Sequence, residues 1–98
     1  MKLEIIWDIQ AKEELKNIVK YYRENSTGKI AQNIKKAILQ ATREIKFAEQ
    51  YQIDDFNPAY RRIIVKNYKI LYRQHKDNIV IIIAIFDTRQ STEKLADL

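Results

Sequence analysis

At 98 residues with 46% apolar side chains, the chain reads as one domain, residues 1–98, organised round a single core. It contains no cysteine and one histidine, His75, which excludes disulfide frameworks, thiolate or His-rich metal sites and a Cys nucleophile. A net charge of +5 favours an acidic partner, whether nucleic acid, ribosome or acidic protein.

The N-terminal stretch Lys2-Leu3-Glu4-Ile5-Ile6-Trp7 alternates polar and apolar residues and predicts a first strand with Trp7 in the core. Its internal charge and the lack of a small-residue cleavage site argue against a signal peptide. The longest apolar run, 79–86, is too short to span a bilayer. A soluble, cytoplasmic protein with no membrane partner is expected. Asp8 is a good N-cap, since its carboxylate accepts an orphan N–H of the first helical turn. From there Ala11, Leu15, Ile18, Val19 and Tyr22 recur at helical spacing, predicting a helix to about Glu24. Lys12, Glu13, Lys16 and Lys20 lie mainly off that stripe and read as solvated surface.

Asn25-Ser26-Thr27-Gly28 breaks the pattern, with Ser26 or Thr27 as the next cap. A second apolar stripe follows in Ile30, Ala31, Ile34, Ala37, Ile38, Ala41, Ile45 and Ala48. A linker this short predicts an antiparallel helical hairpin. Residues 49–59 form the one long loop, where Asp54 and Asp55 read as solvated carboxylates. Residues 60–65 predict a second strand, and Lys66-Asn67 a tight turn in which Asn tolerates the positive φ. Residues 68–75 predict a third strand with Tyr68, Ile70 and Tyr72 on one face and Lys69, Leu71 and Arg73 on the other. After the turn at 76–78, the run 79–86 lacks polar alternation and predicts a central strand covered on both faces. The tail, Ser91 to Leu98, predicts a short helical turn or a frayed end. The order β-α-α-β-β-β makes an α+β domain, an antiparallel meander sheet packed on a helical hairpin.

The meander carries the candidate chemistry. Arg61, Arg62, Lys66, Lys69, Arg73 and Arg89 fall on it or at its end, interleaved with Tyr60, Tyr68 and Tyr72. Tyrosines beside cations are a common device for stacking bases; alternatively the tyrosines pack at the core edge and the cations keep an exposed sheet soluble. Arg89, just past the apolar strand, either pairs with Asp87 to stabilise the strand end or meets a partner. His75 sits beside a turn and is expected to be exposed, and Glu49–Ala59 offers no acid–base pair. Nothing resembles a nucleotide-binding glycine loop, so no cofactor is expected.

The segment from Arg61 through Lys69 and Arg73, the apolar run 79–86 and the ending Asp87-Thr88-Arg89-Gln90 resemble the RelE/ParE superfamily of bacterial type II toxins. The resemblance covers nearly the whole chain, and its ending is closer to the ParE branch. It implies a toxin that inhibits growth, stabilises plasmids and is neutralised by a cognate small acidic antitoxin. RelE-branch toxins cleave messenger RNA on the ribosome, using basic residues and a late aromatic. ParE-branch toxins instead poison DNA gyrase. Carried across, a RelE-like activity would rest on Arg61, Arg62, Lys69 and Arg89. The tail, however, has no Tyr or His for proton transfer. The expectation is therefore a ParE-like gyrase inhibitor without an active site of its own. The alternatives are a RelE-like ribosome-dependent endoribonuclease and a toxin-fold protein that has lost toxicity and only binds. Arg62, Lys69, Arg73, Arg89, Tyr68 and Tyr72 form the expected partner-binding surface. The antitoxin is expected on that cationic sheet face or in the groove of the helical hairpin.

Overall fold

A computed structural model describes residues 2–89, and the expectation for residues 91–98 lies outside them. The elements are β1 (Glu4–Trp7), α1 (Ile9–Asn25), α2 (Gly28–Arg43), a short 3-10 turn at Ala48–Gln50, β2 (Arg61–Val65), β3 (Tyr68–Lys76) and β4 (Ile79–Asp87). This is the β-α-α-β-β-β order expected of the α+β class. The strands form one four-stranded sheet in the order β1-β4-β3-β2. β2, β3 and β4 make the antiparallel meander, and β1 joins it as a parallel edge strand, pairing Glu4–Trp7 with Ile79–Ile82.

Local chemistry sets the helix ends. Asp8 accepts the Gln10 N–H at 3.0 Å, and Thr27 Oγ1 accepts the Ile30 N–H at 3.1 Å, so each helix begins on a side-chain cap. The apolar stripe of the second helix suggests helix as far as Ala48, but α2 stops at Arg43. Gln50 explains the shortfall: its Nε2 donates to the Glu44 carbonyl at 3.0 Å, and its Oε1 accepts the Lys46 N–H at 2.6 Å. One amide side chain thus satisfies backbone groups that another helical turn would have used. Ile45 and Ala48 remain buried because the turn keeps them on the same side.

The hairpin covers one sheet face. Ala11, Leu15 and Val19 of α1 and Ala31, Ile34, Ile38 and Ala41 of α2 meet Ile63, Tyr68, Ile70, Tyr72, Val80, Ile82 and Ile85 of the sheet in one core. Full burial of Ile38, Ile70 and Ile82 contributes about 1.5–3 kcal/mol each. Trp7 packs against this core while staying partly exposed. The opposite face is only partly closed: Ile64 is 56% exposed and Ile6 39%.

Three details depart from the sequence reading. β4 is central, but its burial alternates, with Val80 and Ile82 buried and Ile81 and Ile83 half-buried. Its apolar residues on the far face answer a sheet side that no helix covers among the described residues. In the Lys66-Asn67 turn the positive φ belongs to Lys66, at 54°, and not to Asn67. Asn67 instead spends its amide on Asp87, donating to Oδ1 at 3.3 Å, while its carbonyl accepts from the Thr88 N–H and Oγ1. Finally, Ile83 is an extra residue opposite the Leu71–Tyr72 step, a β-bulge absent from any simple alternation.

Candidate partner-binding surfaces

The face of the sheet away from the helices is the expected meeting place for an anion. Register places Arg62 opposite Leu71 and Ile64 opposite Lys69, so Arg62, Ile64, Lys69 and Leu71 share that face. Its cations are not free. Lys69 is only 6% exposed, and its Nζ donates to Asp54 Oδ1 at 2.7 Å. Arg62 Nη1 lies 3.5 Å from the same oxygen and 3.4 Å from Asp55 Oδ2. The Phe56 ring covers the ammonium, with its centroid 5.0 Å from Nζ.

Asp54 is therefore the centre of this cluster, 1% exposed, and its reading as a solvated loop carboxylate is corrected. Its second oxygen accepts the backbone N–H groups of Phe56 at 3.1 Å and Asn57 at 2.8 Å, an Asx-type turn. Backbone bonds from Asp54 N–H to the Tyr60 carbonyl and from Arg62 N–H to the Gln52 carbonyl, with a bridge between Ile53 and Arg61, lay the 52–60 segment along the β2 edge. Burial by itself would raise the Asp54 carboxyl, but the Lys69 hydrogen bond and charge and the two N–H donors outweigh it and hold it below the ordinary carboxylate range. The cluster is internally neutralised: two cations meet two carboxylates.

The tyrosines are corrected as well. Tyr68 and Tyr72 lie on the helix side of the sheet, 4% and 0% exposed, and offer no stacking surface. The Tyr72 hydroxyl donates to the Ala48 carbonyl at 2.7 Å, and the Tyr68 and Tyr22 hydroxyls meet at 3.2 Å. Burial pushes both phenols up in pKa. Alternation along β3 separates the faces as expected; the core-edge reading of the tyrosines is the one that applies.

Arg89 closes on Asp87 as a fork, Nε to Oδ1 at 3.0 Å and Nη2 to Oδ2 at 2.8 Å. Those bonds hold the Asp87 carboxyl down at about 2. The arginine side chain stays 67% exposed, so the pair fixes its direction without hiding it. Arg61 and Arg73 differ from the rest: each bonds a backbone carbonyl, Arg61 Nη1 to Tyr51 at 2.9 Å and Arg73 Nη1 to Gln74 at 3.4 Å. Neither has a carboxylate partner among the described residues. Arg61 and Arg62 go to different faces, and the structure does not assemble Arg61, Arg62, Lys69 and Arg89 into one open cation set. His75 is exposed at the end of β3, as expected.

The open cationic surface lies on the hairpin instead. A groove of about 610 Å³ runs across α1, α2 and the end of β1, with Trp7, Leu15, Val19 and Leu39 as its floor. Lys12, Lys16, Lys20 and Arg23 of α1 and Lys35 of α2 form its rim, against the single acid Glu24. None of these cations is in an ion pair among the described residues. Lys12, Lys16 and Lys20 follow one another at four-residue spacing, so they stand on one ridge of α1, about 6 Å apart along the axis. In the sequence they read as solvated charge; their regular spacing beside the apolar stripe is the signal that points to them. The arrangement suits an amphipathic segment with an apolar face and acidic flanks. Among the described residues no group of carboxylates or histidines is arranged to hold a metal ion, and no helix is long and apolar enough to cross a membrane.

Known proteins share this architecture. A solved structure titled "Chromosomal ParDE TA system from P. aeruginosa" superposes with a TM-score of 0.72 at 16% identity, covering 89% of this chain and 97% of that one. At that identity the likeness is one of fold. No curated protein matches the chain. The family model "ParE toxin of type II toxin-antitoxin system, parDE" matches residues 5–92, from within β1 to beyond Arg89. With nearly the whole chain matched, the protein belongs to the ParE toxin family of type II toxin–antitoxin systems.

Proposed function

We propose that this chain is a toxin that inhibits DNA gyrase by binding it, has no active site of its own, and is neutralised by a cognate acidic antitoxin seated in the hairpin groove. Membership of the ParE family supports the target. The observation that carries the reading is the fate of the sheet cations. Lys69 and Arg62, which a phosphate-cleaving sheet would present to RNA, are held by Asp54 and Asp55, and Lys69 is buried. A cation neutralised inside its own fold has little charge left to stabilise a developing oxyanion.

The same observation favours the hairpin groove as the antitoxin's seat. Of the two surfaces expected to receive it, the sheet face has Arg62 and Lys69 satisfied by carboxylates, whereas the groove has an apolar floor and a cationic rim that makes no ion pair among the described residues. Burial of an apolar stripe would supply affinity, and the rim would steer an acidic segment into register. The test is induced expression followed by assays on the purified protein. Loss of gyrase supercoiling with intact ribosome-bound transcripts is the expected result. Transcript cleavage at stalled ribosomes with supercoiling untouched would overturn the reading, and normal growth under strong induction would remove toxicity altogether.

A further inference from the structure

The edges of the sheet are not treated alike. Along β2 lies the 52–60 segment, tied by the Arg62 N–H to the Gln52 carbonyl and by the Ile53–Arg61 bridge. β4 runs on past β1, whose pairing stops at Ile82, and there the Glu14 carboxylate accepts the Ile85 N–H at 2.8 Å. β1 has no neighbouring strand on its outer side among the described residues. The Glu4 and Asp8 N–H groups donate inward, to the Asn78 and Ile82 carbonyls, so alternation turns the backbone groups of Leu3, Ile5 and Trp7 outward. Neither a proline nor a bulge interrupts this edge, two of the devices that keep an open strand from pairing.

We infer that β1 is a self-association strand: two copies of the chain join edge to edge, antiparallel about a two-fold axis at Ile5, into one continuous sheet. Charge complementarity selects both the occupant and the register. Outward backbone groups meet only where odd-numbered residues face odd-numbered ones. An axis at Glu4 would set Glu4 against its own copy, and an axis at Ile6 would set Glu4 against Asp8, like charges directly opposite. An axis at Ile5 sets Lys2 against Asp8, Leu3 against Trp7 and Glu4 against Ile6. Both ends of the contact then carry a pair of opposite sign, and no like charges face each other. Asp8 has extended backbone, φ −63° and ψ 151°, so strand geometry reaches it. Leu3, Ile5 and Trp7 pack against the core while staying partly exposed, so a Leu3–Trp7 contact continues the apolar layer from one copy into the next. A strand complementary to itself in this way makes an isologous contact.

Sedimentation velocity of the full chain over a concentration series tests this, together with amide hydrogen exchange at the two ends of that series. A weak, concentration-dependent dimer is expected, the contact being small. Protection of the Leu3, Ile5 and Trp7 amides should rise with dimer, while the Glu4 and Asp8 amides, already bonded to β4, should not change. Ile6 is 39% exposed, so it accepts substitution without loss of the fold. Ile6→Lys faces Glu4 of the second copy, twice per dimer, and should tighten association about fivefold; Ile6→Glu should weaken it about fivefold or more. This order is the reverse of what net charge alone gives, because Ile6→Lys adds to a charge of +5 that already drives copies apart. Ile64→Glu, on the far face of β2, should leave association unchanged. A chain still monomeric at about 1 mM would overturn the inference and leave the edge to a strand of another protein. Dimer without added protection at Ile5, the opposite order of the two Ile6 variants, or a dimer dissolved by Ile64→Glu would overturn it as well, the last assigning the contact to the sheet face.

Discussion

Removing the Asp54 carboxylate should release much of what holds the 52–60 segment, and the geometry sets the size of the effect. Asp54→Ala deletes the 2.7 Å bond from Lys69 and the bonds from the Phe56 and Asn57 N–H groups, and it leaves an ammonium that is 6% exposed without a counter-charge. Breaking a buried pair from one side costs about 3–5 kcal/mol, against about 0–1 kcal/mol for a solvated pair. Lys69→Met should cost less, about 1–3 kcal/mol, because Arg62 remains 3.5 Å from the carboxylate and an apolar chain can sit beneath Phe56. The double variant should therefore be more stable than the sum of its parts, with a coupling energy of about 1.5–3 kcal/mol. At about 4–8 °C per kcal/mol for a domain of this size, Asp54→Ala should lower the melting temperature by about 15 °C or more. Chemical denaturation of the wild type, both single variants and the double variant measures all of these terms. Additive singles, or an Asp54→Ala loss below about 1 kcal/mol, would mean that water screens the cluster and would refute the claim that Lys69 is unavailable to a partner.

Other expectations follow from the same geometry. Lys16→Glu with Lys20→Glu should weaken the antitoxin complex at least tenfold and flatten its salt dependence, measured by calorimetry at several ionic strengths; an unaltered affinity and slope would place the antitoxin elsewhere. Charge reversal at Arg73 with Lys69 is a poorer probe, since a carboxylate at position 69 would face buried Asp54 and destabilise the fold whatever the partner does. Tyr72→Phe should cost about 1–2 kcal/mol by stranding the buried Ala48 carbonyl, with the core otherwise unchanged; a neutral result would show that water reaches that carbonyl. The pH limbs have opposite signs. Asp54 is lowered and Asp87 is lowered to about 2, so both stabilise the fold above their unfolded pKa of about 4, and that contribution is lost as pH falls below it through each folded value, about 2 for Asp87. Asp87→Asn should flatten part of this acid limb. Glu14 is raised, chiefly by burial, so its contribution is largest below its unfolded pKa and is lost as pH rises through the folded value. Glu14→Gln should consequently raise the melting temperature near neutrality more than at pH 4.

What the sequence discloses, and what it withholds, divides along the reach of each interaction. Period and capping are local, so Asp8, Thr27, the stripes of α1 and α2 and the alternation of β3 are legible in the order of residues alone. The separation of Tyr68, Ile70 and Tyr72 from Lys69 and Leu71 is legible too, but not which set meets the helices. That choice is made by the core, which takes the larger apolar volume. Asp54 reads as solvated because its partners lie 15 and 8 residues away, across a turn that composition marks only as loop. Gln50 is invisible for a related reason: a single amide bonding both Lys46 and Glu44 ends the run of helix that the apolar stripe would have continued. The Lys12–Lys16–Lys20 ridge has a readable period, yet only the packing of α2 gives it an opposite wall.

The meander thus carries a cationic sequence on a sheet face that is largely neutral. Placing Asp54 and Asp55 in a segment that folds back along β2 converts Lys69 and Arg62 from a surface into a clamp. The charge available to partners then resides where no carboxylate answers it among the described residues, on the hairpin ridge and at Arg61 and Arg73. A sheet braced in this way can hold the helical hairpin rigid for the antitoxin binding proposed for its groove. The pairing that removes a phosphate-binding face is then the same pairing that lets the fold serve as a scaffold for protein recognition.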